Sequence, residues 1–353
     1  MNEVTYLNYP AFGICGYSGA GKTTLIEALV RLLRGRGLRI GVIKQDAHGL
    51  ELDREGKDTD RIFKAGADVF IRDAVQTFAR CHRQADAPLP ALIRQLGPQY
   101  DLILVEGHKA TPLPRKIWLC KAGEAAPPRE ARGIQRVLRW TDDRERIALD
   151  MLDAWLPEAW RATPVYAGVL IGGGSTRMGR PKHLIEERGE SWLRKIVTAV
   201  KGHVDKVVIL GSGELPAEFR SLPALADVED TEGPLRGMLA AMRWAPLTSW
   251  VFVPCDVPML SPAAIQWLLG HRRPGIWSVL PIRPGSSKPE PLPGYYDFRA
   301  VALLEAISGP SGCAGNEKNA SPVIPAALAD AWKNINSPED VARLVRRRAR
   351  TPV

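Results

Sequence analysis

Cysteine is scarce in this chain. There are five in 353 residues, Cys15, Cys81, Cys120, Cys255 and Cys313, and no two form a C-x-x-C pair. An odd, scattered set argues against a disulfide framework and a thiolate zinc site, and fits a reducing compartment. Six histidines show no H-E-x-x-H or comparable metal spacing. No apolar run approaches the roughly 20 residues that cross a bilayer. Met1 to Thr5 lacks the basic and apolar regions of a secretory leader. The chain is therefore read as cytoplasmic, with no membrane partner. Acidic residues are outnumbered, 39 against 48 lysines and arginines, for a net charge of +9. That balance suits an anionic ligand. The arginines are dispersed except for Arg346, Arg347, Arg348 and Arg350. This run reads as a solvated helix end, and no nucleic-acid reader motif accompanies it.

What the chain does have is two glycine-rich phosphate-loop patterns. With 45% hydrophobic and 25% charged residues it is globular in composition, and it is long enough for two domains. The apolar run Ala11 to Cys15 reads as a buried strand. Directly after it, Gly16 to Thr23 (GYSGAGKT) matches G-x-x-x-x-G-K-[ST] without substitution. Thr24 to Arg34 reads as a helix, with Leu25, Leu29, Leu32 and Leu33 at helical spacing. The glycines let the loop wrap phosphates, Lys22 reaches the β- and γ-phosphates, and the Thr23 hydroxyl binds Mg²⁺. Gly16, Gly19, Gly21, Lys22, Thr23 and Thr24 are the expected nucleotide contacts.

Arg39 to Lys44 reads as a second strand, followed by a polar segment containing Asp46 and His48. Asp46 falls at a strand's C-terminal end, the ligand edge of an open α/β sheet; a solvated loop accounts equally well for both residues. Asp68 to Arg72 reads as another strand. Asp101 to Gly107 (DLILVEG) is the clearest buried strand of this half and ends in Glu106. There it is the physical equivalent of a Walker B acid beside the P-loop metal; a strand-end cap competes for the residue taken alone. Asp46 and Glu106 both stand as metal-side acids. Pro114 to Cys120 reads as a strand, and Asp142 to Leu156 as a helix with an Asp cap.

Three pieces in order, GYSGAGKTTL, IKQDAHGLELDREGKDTDRIFKAGA and DLILVEGHK, resemble the MobB family of molybdopterin-guanine dinucleotide biosynthesis adaptors, over roughly Ala11 to Trp160. The family usually has histidine at Gln45 and an aromatic at His108; neither position belongs to the phosphate machinery. The resemblance implies a P-loop fold that binds GTP, weak GTP hydrolysis and a tendency to form homodimers.

Two prolines between Leu156 and Pro164 set the expected boundary, with domains at 1–160 and 164–353. In the second half, Tyr166 to Ile171 is an apolar run leading into Gly172, Gly173 and Gly174, then Ser175, Thr176, Arg177, Gly179 and Lys182. A strand ending in glycines lets backbone N–H groups converge on a triphosphate. Arg177 and Lys182 add full positive charge. Strand, helix and strand alternate again (Asp205 to Leu210 and Trp250 to Pro254 as strands), which predicts a second doubly wound sheet. Gly233 and Gly237 permit close backbone approach, with Asp230 facing the same region. Asp256 follows a buried strand, at the edge where a triphosphate's Mg²⁺ would sit. Glu290 to Tyr296 carries prolines and reads as an edge strand at best. Ser337 is placed as N-cap and Pro338 at N1 of a last helix. Asn334 and Asn336 alternate just before it and both face a substrate in this reading; a capped turn accounts for them equally well.

LIGGGSTRMGRPK, EDTEGPLRGM, VPCDVPML and NINSPED, in that order, resemble the MobA family of molybdenum cofactor guanylyltransferases, over roughly Pro164 to Arg348. The family usually has alanine at Ile171 and often aspartate at Pro181. Cytidylyltransferase relatives carry L-A-A-G, so Gly172-Gly173 favours guanine. The resemblance implies a Rossmann-like nucleotidyltransferase domain that moves GMP from GTP to Mo-molybdopterin, releasing pyrophosphate. Arg177, Lys182 and Asp256 would be catalytic. Leu170, Gly172, Gly173, Gly174, Lys182, Asp230, Gly233 and Asp256 would bind nucleotide, and Asn334 and Asn336 the pterin. Mg²⁺ would rest on Asp256 here, and on Thr23 and Glu106 in the first domain. Molybdoenzymes or their chaperones would be downstream partners. The competing readings are a cytidylyl- or sugar-phosphate nucleotidyltransferase, and a P-loop adaptor whose second domain only binds a cofactor.

Overall fold

The computed structural model describes residues 9–44, 58–82, 88–172, 180–306 and 310–349. Asp46, His48, Gly173, Gly174 and Arg177 lie outside these. The chain divides into two compact units, the first comprising 1–34 and 39–150, the second 35–38 and 151–353.

The first unit runs β1 (Ala11–Cys15), α1 (Lys22–Gly35), β2 (Ile40–Lys44), α2 (Asp58–Lys64), β3 (Val69–Arg72), β4 (Thr77–Arg80), α3 (Leu89–Leu96), β5 (Leu102–Glu106), β6 (Arg115–Leu119) and β7 (Arg136–Leu138). Five strands form one parallel sheet in the order β2-β5-β1-β6-β7, while β3 and β4 make a separate antiparallel pair. β1 and β5 are buried along their whole length, as apolar central strands of a parallel sheet are. Their register sets Ile14 beside Glu106, so the loop after β1 and the acid ending β5 share one sheet edge. α1 buries Leu25, Ile26, Leu29 and Leu33; Leu32, grouped with them by spacing, is 44% exposed, and Ile26 completes the stripe.

α4 (Arg144–Arg161) is capped by Asp143, whose Oδ1 accepts from Arg146 N at 3.2 Å. The helix runs through the stretch expected to be a linker and contains Pro157. Ala148, Leu152, Trp155, Leu156 and Trp160 are all buried. Their spacing of three and four residues keeps one apolar face continuous, and that face outweighs the hydrogen bond which proline removes.

The second unit contains β8 (Val165–Leu170), β9 (Glu186–Glu187), β10 (Glu190–Ser191), α5 (Trp192–Lys201), β11 (Lys206–Leu210), β12 (Ala224–Leu225), α6 (Leu235–Trp244), β13 (Ser249–Pro254), α7 (Pro262–Leu269), β14 (Ser278–Val279), β15 (Gly294–Tyr296), α8 (Val301–Glu305), β16 (Asn319–Ala320) and α9 (Pro338–Ala349). Its main sheet has the order β12-β11-β8-β13-β15-β14-β16. Val165, Ala167 and Val169 pack with α5 and α7. Leu170, with Val208 and Leu210, packs with α6 and α8. The strand's period of two thus feeds two helical layers, one on each face.

β15 is not an edge strand. It pairs antiparallel with both β13 and β14. Pro291 and Pro293 end just before the paired residues Gly294 to Tyr296, so neither removes a ladder donor. β4 and β7 were not anticipated; they are four and three residues long, too short for periodicity to declare itself.

Candidate functional site

In the first unit the phosphate loop leaves β1 at Cys15 and enters α1 at Lys22. Gly19 and Gly21 have φ of 77° and 84°, the left-handed region that glycine enters without strain. A Cβ on Gly16 would stand 2.6 Å from the Leu119 carbonyl oxygen. Lys22 Nζ donates to the Tyr17 carbonyl at 3.0 Å, folding the side chain back over the loop. Thr23 and Thr24 are exposed at the start of α1. Thr23 Oγ1 stands 3.5 Å from Oε2 of the buried Glu106. The hydroxyl, the acid and the loop therefore meet at one sheet edge.

Two further cations support this edge from behind. Arg144 donates to the carbonyls of Ala20 (2.7 Å), Arg139 (2.9 Å) and Cys120. It thereby ties the loop's own backbone to the segments following β6 and β7. Lys116 on β6 is fully buried, and its three N–H donors are shared among the carbonyls of His108, Lys109, Thr111 and Arg132, all at 2.7–3.0 Å. Burial pushes its pKa down. Burial, and then the Lys116 charge, does the same to His108. Neither cation stood out in the sequence, because their acceptors are backbone carbonyls distant along the chain.

In the second unit, a cavity of about 510 Å³ opens where β8, β11 and β13 end. Leu170 and Gly172 reach it from β8, Leu210 from β11, and Pro254, Cys255 and Asp256 from β13. Gly233 and Gly237, Lys182 and Asn334 complete this side, with Glu290 and Pro291 on its wall as well. Lys182 Nζ lies 3.1 Å from Asp256 Oδ2 and 2.6 Å from Asn336 Oδ1. Lys182 and Asp256 are 18% and 16% exposed, so their pairing is only partly screened by solvent. The Cys255 thiol is pushed up to about 12 by burial and the neighbouring Asp256 charge, so it is neutral at physiological pH. Ile171 turns into the core with Val169 and does not line the cavity. The larger residue at the usual alanine position is therefore accommodated away from ligand space.

Asp230 is not among the lining residues. Its Oδ2 accepts from Arg243 Nη1 at 2.8 Å, and Arg243 also pairs with Glu305. In its place Asp227 joins Asp256 on the cavity wall, and its Oδ2 would lie 3.5 Å from a Cβ at Gly172. Asp227 follows β12, a strand of two residues, and no local pattern marked it. Of the expected pterin contacts, Asn334 lines the cavity whereas Asn336 engages Lys182.

The donor chemistry fits Mg²⁺ at one point in each unit. Asp256 Oδ1 is buried and has no hydrogen-bond partner among the described residues, while Oδ2 holds Lys182. An orphaned carboxylate oxygen is a suitable hard ligand for a cation otherwise bound by phosphate and water. Thr23 Oγ1 and Glu106 offer the matching pair in the first unit. Among the described residues no cluster of three or more His, Cys, Asp or Glu forms a self-sufficient metal site. No helix among them is long and apolar enough to cross a membrane.

A P-loop nucleotide-binding unit and a doubly wound unit with a lysine–aspartate pair at its strand ends define a two-module nucleotide-handling protein, its second module of nucleotidyltransferase type. The sequence profile of the family described as "MobA-like NTP transferase domain" matches residues 167–350. That of "Molybdopterin guanine dinucleotide synthesis protein B" matches residues 11–138. The chain belongs to the MobA-like NTP transferase family, and its first unit to the MobB family. It is 36% identical over 125 residues to the molybdopterin-guanine dinucleotide biosynthesis adapter protein of Escherichia coli, a match covering 34% of this chain and 71% of that protein. It is 27% identical over 197 residues to a molybdenum cofactor biosynthesis bifunctional protein of Synechocystis, covering 52% of this chain and 54% of that protein. It is 27% identical over 146 residues to a probable molybdenum cofactor guanylyltransferase of Halalkalibacterium halodurans, covering 39% of this chain and 73% of that protein. The chain thus spans little more than half the length of the bifunctional relative.

Proposed function

We propose that the second unit transfers GMP from GTP to Mo-molybdopterin, giving molybdopterin guanine dinucleotide and pyrophosphate, and that the first unit is its fused GTP-binding adaptor. The observation that carries this reading is the Lys182–Asp256 pair at the strand ends, beside Gly172 and a cavity of about 510 Å³.

The terminal phosphate of the pterin attacks the α-phosphate of GTP in line. One P–O bond forms, the α–β anhydride bond breaks, and the electron pair leaves with pyrophosphate. The nucleophile is already anionic near neutral pH, so no strong general base is needed. Rate comes from positioning and from charge placed where it develops. Lys182 neutralises charge on the leaving pyrophosphate, with Arg177 as its proposed second cation. The backbone at Gly172 and Gly233 leaves room for the nucleotide, and Asn334 offers its amide to the acceptor. Mg²⁺, held on Asp256, would supply Lewis-acid charge to the triphosphate. A homodimer, a cytoplasmic setting and hand-over to molybdoenzymes or their chaperones complete the proposal.

The test incubates the full chain with molybdopterin, MgCl₂ and GTP, CTP or a sugar phosphate with nucleotide, and looks for the dinucleotide. The guanine product with GTP is expected. A cytosine or sugar-nucleotide product in its place would overturn the reading, and GTP binding without pyrophosphate release would leave only an adaptor. Lys182→Ala should lower kcat by roughly a hundredfold or more, the cost of removing a preorganised charge stabiliser.

A further inference from the structure

Two polar side chains, Asp256 and Asn336, hold Lys182. An ammonium has three donors and no acceptor. With Asp256 as its only partner, Lys182 would be drawn fully to that carboxylate. Asn336 Oδ1 accepts from the same Nζ at 2.6 Å, the shorter of the two contacts. The asparagine oxygen is neutral, so it fixes the ammonium without cancelling its charge. An aspartate at 336 would hold the lysine equally well but would compete with phosphate for its charge.

The surrounding structure holds Asn336 in place for this contact. Ile335 is buried with Ile185 and Trp192, so one apolar cluster pins both the turn that carries Lys182 and the segment that carries Asn336. Ile335 N donates to the Asp256 carbonyl at 2.8 Å, fixing the third member. Beyond Asn336, Asp340 Oδ2 accepts from the backbone N–H of both Asn336 and Ser337, and Asp340 N donates to Ser337 Oγ, each at 3.2 Å. This reciprocal cap at the start of α9 anchors the segment. Three chain segments, at 182, 256 and 336, thus meet on one nitrogen.

We propose that Asn336 is a positioning residue for Lys182, acting on the donor triphosphate and not as a contact to the acceptor. The proposal rests on the guanylyltransferase reading for its substrates. It makes the segment before α9 a link between the two ends of the site: Asn334 on the cavity wall, Asn336 on the phosphate-side lysine.

The test is a double-mutant cycle between Asn336→Ala and Lys182→Ala, read first as equilibrium GTP affinity. It is run in a full-length chain carrying Lys22→Ala, so that the second unit's site is followed alone. If Asn336 acts through the lysine, Asn336→Ala weakens GTP binding about tenfold when Lys182 is present and less than about twofold when it is absent, since an effect routed through one partner vanishes with it. In transfer assays kcat falls while the acceptor KM stays within about twofold, the pattern of an interaction not made with the acceptor. Asn336→Leu, which keeps the branched skeleton of asparagine without its oxygen at an exposed position, should behave alike and stands in if the alanine variant melts early. A raised acceptor KM with unchanged GTP affinity would overturn the proposal, as would an equal loss of GTP affinity in the Lys182→Ala chain. The binding cycle needs no turnover. Absence of dinucleotide from the unmutated chain would therefore count against the proposed reaction and leave the Asn336 result standing.

Discussion

Lys116 on β6 and Gly13 on β1 sit opposite each other in register, and a Cβ on Gly13 would stand 2.8 Å from Lys116 Cγ. The glycine leaves the space that the lysine stem occupies. The ammonium then gathers the carbonyls of His108, Lys109, Thr111 and Arg132. A cation buried this deeply is tolerated because those dipoles replace its water.

Lys116→Met would keep the stem and leave all four carbonyls without their donor. At about 1–3 kcal/mol for each buried group left unsatisfied, the loss should reach about 2 kcal/mol or more even if water recovers half of them. Urea unfolding followed by circular dichroism measures it. A midpoint equal to that of the unmutated chain would show that the carbonyl ring is not structural.

Thr23 Oγ1 lies 3.5 Å from Glu106 Oε2, too far for a strong hydrogen bond and suited to a shared cation shell. Glu106→Gln should weaken Mg²⁺-dependent GTP binding by the first unit about tenfold, which is about 1.4 kcal/mol. Binding in EDTA should change little. Titrations with and without Mg²⁺, in a chain carrying Lys182→Ala to suppress the second site, separate the two. An equal loss in both media would make Glu106 a structural cap.

Arg144 spends its guanidinium on backbone oxygens of Ala20, Cys120 and Arg139. Arg144→Met keeps much of the aliphatic bulk and removes those donors. Hydrogen bonds from charged groups are worth roughly 1.5–3 kcal/mol each, and one of them holds the phosphate loop itself. GTP affinity of the first unit should fall at least about tenfold, with the loop made protease-sensitive in the absence of nucleotide. Unchanged limited-proteolysis patterns would refute the tie.

The parts proposed to handle phosphate are legible because their chemistry is local. Gly16 to Thr23 and Asp256 each announce themselves within a few residues of a strand end, and Lys182 closes the glycine-rich motif that follows β8. What stayed hidden is set by distance along the chain or by competition. Lys116 sits in a short run read only as a strand, and its four acceptors depend on how β6 packs. Asp227 follows a two-residue strand, while Asp230, three positions on, has the more obvious context but turns to Arg243. Pro157 signals a break, yet the apolar face from Ala148 to Trp160 carries the helix through it. The prolines around Leu292 suggest an edge, yet the ladder of β15 begins only after them. Asn334 and Asn336 share a side by alternation, but alternation cannot say that one would meet a cavity and the other a lysine.

Alkaline pH should destabilise the second unit in part through Tyr295. Its hydroxyl is fully buried, donates to Ser249 Oγ at 3.1 Å and lies 3.5 Å from Asp297 Oδ2. Burial, and then the Asp297 charge, push its pKa from 10.0 up to about 12. An unfolded tyrosine releases its proton near the lower value and the folded one near the higher. Between them the native state binds more protons, so stability falls as pH rises, by up to about 1.4 kcal/mol per pH unit for one such group. Cys313, pushed by burial from 9.0 up to about 11, adds a fall of the same sign that begins one unit lower. Thermal unfolding between pH 8 and 11 should therefore show a falling Tm. Tyr295→Phe, which has no proton to lose, should make the fall above pH 10 shallower while leaving the parts due to Tyr296, Cys255 and Cys313 in place. The same slope in both proteins would mean that Tyr295 ionises in the folded state as freely as in the unfolded one, against its burial.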